Sequence, residues 1–265
     1  MQLRYVVIAI VVVLGIGAYL GYESLEAPAN QVFGRTIVSG SPSAREVALT
    51  FDDGPNPPYT DRILDVLRAE RVHATFFVVG RAAVAHPATL RRIVADGNAL
   101  GNHTWDHAHL VVETRAQIVS ELQRTDDAIH RIAGVRPRLM RPPFGARDFE
   151  VIDVARQLGY QVVMWSVPLP NDWEQPGDET IAARVVGNVT DGGIVVLHDG
   201  NRGLICGARS IPAAECDRAQ DVAATRRIIE ALRAEGYRFV TIPELLAERT
   251  ARHEGVTHIA GPQSR

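Results

Sequence analysis

The sequence contains no lysine. Every basic side chain other than histidine is arginine, 28 in all against 31 acidic residues, for a formal net charge of −3. We read the missing lysine as compositional bias of the source genome, because the two cations differ in function mainly at bidentate or stacked sites. The near balance leaves no broad cationic field, which argues against nucleic acid or an anionic membrane surface as a partner. No Gly-x-Gly-x-x-Gly follows the first strand-like run, so a dinucleotide site lacks its signature. Cysteine is scarce too. Cys206 and Cys216 sit ten positions apart in one Gly/Ala/Arg-rich segment. A cysteine metal site wants shorter spacing and further ligands nearby, whereas in an exported chain such a pair reads as a disulfide pinning a loop.

What is present begins at the N-terminus. Arg4 precedes an apolar run from Tyr5 to Leu20 without a charged residue, and Glu23 and Glu26 follow it. The length lies between a signal-peptide core and a spanning helix of ~20 residues. The run is apolar on every face, unlike a helix at the edge of a core, and its flanking charges suit export. Ala27-Pro28-Ala29 resembles a small-x-small cleavage site but lies far from the apolar stretch. Residues 1–22 are therefore read as a membrane anchor or signal segment, with a retained anchor preferred. Either way the remainder acts outside the cytoplasm. A Ser/Pro/Ala/Gly-rich linker over 23–45, one domain over 46–249 and a loose tail over 250–265 complete the division.

Within the domain, short strand-like runs alternate with helical spacing. The strands are expected at Val47–Phe51, Ala74–Val79, Ala99–His103, Arg138–Arg141, Gln161–Ser166, Ile194–Leu197 and Phe239–Ile242. Helices are expected at Tyr59–Ala69, Pro87–Ala95, Thr114–Ile132, Phe149–Leu158, Thr180–Val189 and Asp221–Ala234. In the third of these, Ile118, Leu122, Ile129 and Ile132 mark one apolar face. Such alternation implies a mainly parallel sheet with helices outside it. About seven units in a chain of this length point to a single α/β domain, a distorted (β/α) barrel of about seven parallel strands.

The strand ends carry the polar residues. The first runs into Thr50-Phe51-Asp52-Asp53-Gly54-Pro55, and the third into His103-Thr104-Trp105-Asp106-His107. The fourth ends in Arg141-Pro142-Pro143-Phe144-Gly145, the fifth is followed by Asn171-Asp172-Trp173, and the sixth ends in Leu197-His198-Asp199. In a parallel barrel these positions surround one mouth, where active sites are built. Taken singly, each motif favours a bland role. Asp-Asp-Gly-Pro is most often a turn, and two histidines four apart are more often unrelated surface residues than ligands. On a helical turn, however, His103 and His107 would share a face and suit one metal ion, with a carboxylate as third ligand. His109 reads as a supporting or surface residue, and His73, His86, His130, His253 and His258 lack comparable company. Arg141 is a fixed cation able to orient a carboxylate and lower its pKa. His198 is a candidate general acid.

Together the segments resemble the polysaccharide deacetylase family, the carbohydrate esterases that share the NodB homology domain. Thr-Phe-Asp-Asp-Gly-Pro, His-Thr-Trp-Asp-His, Arg-Pro-Pro-Phe-Gly and Leu-His-Asp fit its motifs in order, over about Val47 to Leu246. The resemblance implies a distorted barrel in which Asp53, His103 and His107 hold a divalent ion, usually Zn²⁺, with Co²⁺ or Ni²⁺ in some members. It implies Asp52 as general base, His198 as general acid, Arg141 holding Asp52, and the Phe144 backbone N–H helping to stabilise the oxyanion. One motif departs from the family pattern. Trp165-Ser-Val-Pro168-Leu-Pro-Asn-Asp172-Trp173 has proline where the family has its first aspartate, and one residue more. Asp172 and Trp173 are assigned a supporting and a pocket-wall role, and Val196 and Leu197 are expected to shape a pocket for the acetyl methyl. The Cys206–Cys216 segment is expected to overhang the mouth. The implied activity is N-deacetylation of an extracytoplasmic glycan, peptidoglycan or a chitin-like oligomer. An O-deacetylase on acetylated xylan and a non-catalytic glycan-binding surface protein stand as alternatives.

Overall fold

The structure, a computed structural model, describes residues 5, 12, 17, 21, 25–206 and 211–247. Most of the expected anchor or signal segment and the whole expected tail lie outside the described residues. Among the described residues no helix is long and apolar enough to cross a membrane.

Strand β1, Glu46–Asp52, is buried over its whole length, as a central parallel strand covered on both faces must be. It is flanked by β2 (Thr75–Val78), β6 (Gly193–His198) and β7 (Arg238–Phe239). Beyond β2 lie β3 (Ala99–Asn102), β4 (Leu139–Met140) and β5 (Gln161–Val162). The order is β5-β4-β3-β2-β1-β6, with β7 also on β1, and every pair is parallel. β7 pairs with Glu46 and Val47, and β2 takes Thr50, Phe51 and Asp52, so the two divide β1 between them.

Side-chain alternation along β1 separates two cores. Val47, Leu49 and Phe51 pack with Ile63, Leu67, Ile228 and Leu232 of the outer helices. Ala48 faces inward with Phe77, Met140, Ile194 and Val196. The helices covering the sheet are α1 (Tyr59–Glu70), α2 (Gly80–Ala85), α3 (Pro87–Ala95), α4 (Arg115–Ala133), α5 (Phe149–Gln157), α6 (Asp178–Val186) and α7 (Ala219–Ala234). Thr114 begins α4 with a capping box to Gln117, and Gly134 ends it in the left-handed conformation.

No ladder joins β5 to β6 among the described residues. The seam is filled by irregular chain instead. Ser166 and Val167 donate to Ile194 O at 3.3 and 3.2 Å, Ile37 bridges Val163, and Gly40 donates to Gly192 O at 2.8 Å. The described part of the expected linker is thus laid against the domain. Arg147, fully buried, also donates to the carbonyls of Ala27, Pro28 and Asn30. A composition rich in small residues and proline looks like a tether, yet its carbonyls supply a buried guanidinium with the acceptors it needs.

Candidate active site

Asp52 is the last residue of β1 and lies beside His198, its register partner at the end of β6. Continued extension would turn Asp53 to the helix side. Instead Asp53 adopts φ 77°, and its carboxylate swings back into the same mouth. Gly54 follows because space requires it. A Cβ there would lie 2.0 Å from Asp199 Oδ2, so the buried Asp199 carboxyl occupies the position a side chain would take. Thr60 Oγ1 donates to that carboxyl at 2.5 Å. Burial, opposed by the Thr60 bond and helped by the charges of Asp53 and Asp52, pushes Asp199 up to about 7.

His103 and His107 do not sit on a helical turn. The chain from 103 to 107 is a loop in which Thr104 and His107 have φ 67° and 62°. Glu121 Oε2 accepts from the N–H groups of Trp105 and Asp106, while Gly80 and Arg81 donate to the carbonyls of Thr104 and Trp105. The loop presents both Nε2 atoms to Asp53 Oδ1, at 3.4 Å from His103 and 3.1 Å from His107. His103 Nδ1 donates to Arg141 O at 2.8 Å. A carbonyl only accepts, so Nδ1 carries the proton and Nε2 offers its lone pair inward.

Asp53, His103 and His107 form a group able to hold a metal ion, their ligand atoms lying within 4.8 Å of one another. The buried Asp53 Oδ1 has no hydrogen-bond partner, whereas Oδ2 accepts from Arg202 N–H at 2.6 Å. Burial acts to raise the Asp53 pKa, but His107 first, with His103 and His198 beside it, holds it well below the usual carboxylate range. Two imidazoles and one ionised carboxylate, with one carboxylate oxygen unspent, fit a divalent ion of borderline softness.

Flanking this trio are two buried pairs. Arg141, fully buried, donates from Nη1 to Asp52 Oδ1 at 2.7 Å and to Thr50 Oγ1 at 2.8 Å. Its remaining donors reach the carbonyls of Val163 and Met164, and its guanidinium lies 4.2 Å over the Phe77 ring. Across the mouth, Asp172 accepts from His198 N–H at 2.7 Å and from Nδ1 at 2.9 Å. Burial opposes charge on His198, yet Asp172, with Asp53 and Asp52, raises it to about 10. The Trp173 ring stands edge-on to His198 at 5.5 Å.

Asp52, Asp53, His103, His107 and His198 open on one cavity of about 240 Å³, with Arg141 and Asp172 buried behind them, and its wall also includes Phe144, Trp165, Leu169, Trp173 and Val196. Phe144 has φ 60° and packs on His107. Leu197, expected in the pocket, is not there. β6 alternates, so Leu197 is buried in the outer core and Val196 alone lines the cavity. His109 lies against Phe144 and 3.6 Å from Glu26, at the rim. The disulfide Cys206–Cys216 is formed. Residues beside it in the chain, Asn201, Arg202 and Arg218, line the wall, and Asn56 Nδ2 donates to Cys216 O at 3.0 Å. Arg202 and Glu26 also reach the site, although a loop backbone N–H and a residue of an expected linker carry no motif.

Comparison with known proteins gives the chain a family and a fold. The polysaccharide deacetylase model matches residues 39–163. A peptidoglycan-N-acetylglucosamine deacetylase of Bacillus cereus is 35% identical over 227 residues, covering 85% of this chain and 93% of the relative. A chitooligosaccharide deacetylase of Sinorhizobium fredii is 36% identical over 212 residues, 79% of this chain and 96% of the relative. The crystal structure of a peptidoglycan N-acetylglucosamine deacetylase superposes with a TM-score of 0.71 at 33% identity, covering 79% of this chain and 92% of that one.

Proposed function

This chain belongs to the polysaccharide deacetylase family, and on that premise we propose that it removes N-acetyl groups from an extracytoplasmic glycan, peptidoglycan or a chitin-like oligomer. The observation that carries this is the meeting of three devices in one cavity. Asp52 is held by Arg141, His198 is held by Asp172, and the ligand trio Asp53, His103 and His107 opens on the same space.

A divalent ion on that trio, with Zn²⁺ the ion its donors suit best, would supply Lewis acidity, acidifying water and polarising the acyl oxygen. The chain's own groups do the rest. Asp52 takes a proton from the attacking water, and Arg141 holds its carboxylate aimed. The oxyanion that forms at the acyl carbon meets the Phe144 backbone N–H. His198, kept protonated by Asp172, gives its proton to the sugar nitrogen as the carbon–nitrogen bond breaks. Acetate and a free amine result. Val196, Trp165 and Leu169 form the apolar wall against which the methyl packs.

The apolar run Tyr5–Leu20 exports or anchors the domain, and the disulfide suits an oxidising compartment outside the cytoplasm. The test is acetate release from peptidoglycan, chitooligomers and acetylated xylan. Release from the first two that a chelator abolishes is expected. Release from xylan alone would make the enzyme an O-deacetylase, and binding without release from any of them would make it a binder.

A further inference from the structure

Asp221, in the first turn of α7, is fully buried, and neither carboxyl oxygen accepts a hydrogen bond. A buried carboxylate without donors is costly and calls for an explanation. The neighbour is Asp172, equally buried, whose oxygens already accept from the N–H and Nδ1–H of His198. Two buried carboxyls that interact side chain to side chain do not both ionise. Asp172 has the donors and the imidazolium, so the shared proton belongs to Asp221, whose O–H then points at Asp172. Other groups facing Asp221 do not change this. Arg218 donates from Nε to Gly200 O at 2.7 Å and from Nη1 to Asp217 O at 3.0 Å, and no hydrogen bond joins it to Asp221, while His198 is bonded to Asp172. Burial, with the charge of Asp172 next, pushes Asp221 well above the usual carboxylate range, against the pull of Arg218 and His198. Gln220 beside it donates to Asp172 O at 2.7 Å, so consecutive residues of α7 grip the same aspartate.

We propose that Asp221 is a positioning residue, a neutral carboxyl that donates its proton to Asp172 and holds the Asp172–His198 pair in line with the cavity. The inference rests on the reading of His198 as the acid that serves the leaving nitrogen. Asp172 alone could swing between two lone-pair directions. A donor behind it fixes one.

The test compares Asp221→Asn and Asp221→Val with the wild-type full chain. The His198 imidazole is titrated by NMR in metal-free protein, and kcat, KM and Tm are measured with the ion bound. Asparagine replaces a neutral donor with a neutral donor. The expected result is a His198 midpoint within about half a unit of wild type, with kcat rescued relative to valine. Valine removes the donor, and a roughly tenfold loss of kcat at unchanged KM is expected, the scale of one hydrogen bond. A fall of the His198 midpoint by more than about half a unit in Asp221→Asn would mean an ionised Asp221 and overturn the proposal. Full kcat in a folded Asp221→Val would overturn it too, and if that variant does not fold, the asparagine titration decides. Wild type that releases no acetate while His198 titrates as expected would sink the deacetylase reading and leave the role of Asp221 standing.

Discussion

Asp52 and Asp53 are neighbours in sequence, and a single left-handed residue brings both carboxylates into one mouth. Their partners set different work, and this yields a sharp pair of expectations. Asp52→Asn should lower kcat by about 10²–10⁴-fold while calorimetry still shows ion binding. Asp53→Asn should lose ion binding itself. His198 adds a pH expectation. Its pKa is raised, so its ion pair with Asp172 is fully formed below the ordinary histidine range and is lost as pH rises through about 10. In Asp172→Asn, burial acts unopposed by that carboxylate. The alkaline limb of kcat should then move to lower pH, and a limb that stays in place would contradict the pairing. At this scale much was legible, because Asp52, Asp53, Arg141 and His198 are rare residue types at strand ends. Asp221 was not, since its significance lies in a contact with Asp172 about fifty residues away, which no local pattern records.

Among the elements, strand positions follow from alternating apolar runs, but strand parity and length do not. Leu197 and Val196 were paired as pocket residues, yet period two sends them to opposite faces. Leu197→Ala should therefore cost about 2–5 kcal/mol of stability by leaving a core cavity, with KM nearly unchanged in the folded fraction. Val196→Phe should instead raise KM or abolish turnover, beside an overpacking cost of about 1–3 kcal/mol, since Val196 also belongs to the inner core. β5 is only two residues long because its continuation leaves the ladder, lending Val163 O and Met164 O to Arg141. The 103–107 segment shows the same limit. Spacing four fits a helix, but left-handed residues and Glu121 produce the convergence through a loop. The disulfide closes a short loop, so Cys206→Ser with Cys216→Ser should cost about 2–3 kcal/mol. Arg202, whose N–H bonds Asp53, lies four residues before the bridge, so ion affinity should fall when the bridge is lost.

The described residues form one parallel sheet of seven strands whose outer strands are bridged by irregular chain, and the cavity lies at the carboxyl ends of the strands. Alternating strands and helices made the fold class readable. The seam was not, because residues 36–40 resemble a tether in composition and become structural only against Val163 and Gly192. An ion that binds only the folded chain stabilises it by mass action, about 2.7 kcal/mol at a hundredfold excess over Kd. Chelation should accordingly lower Tm by several degrees in wild type and leave Asp53→Asn unmoved. The central claim is tested most directly by measuring acetate and free amine released from N-acetylglucosamine-containing peptidoglycan and chitooligomers by the ion-loaded full chain. The account predicts equal amounts of both products, loss on chelation, recovery on adding Zn²⁺, and release about 10²–10⁴-fold lower in Asp52→Asn. An ion-loaded wild-type chain that binds these glycans and releases acetate from none of them would contradict it.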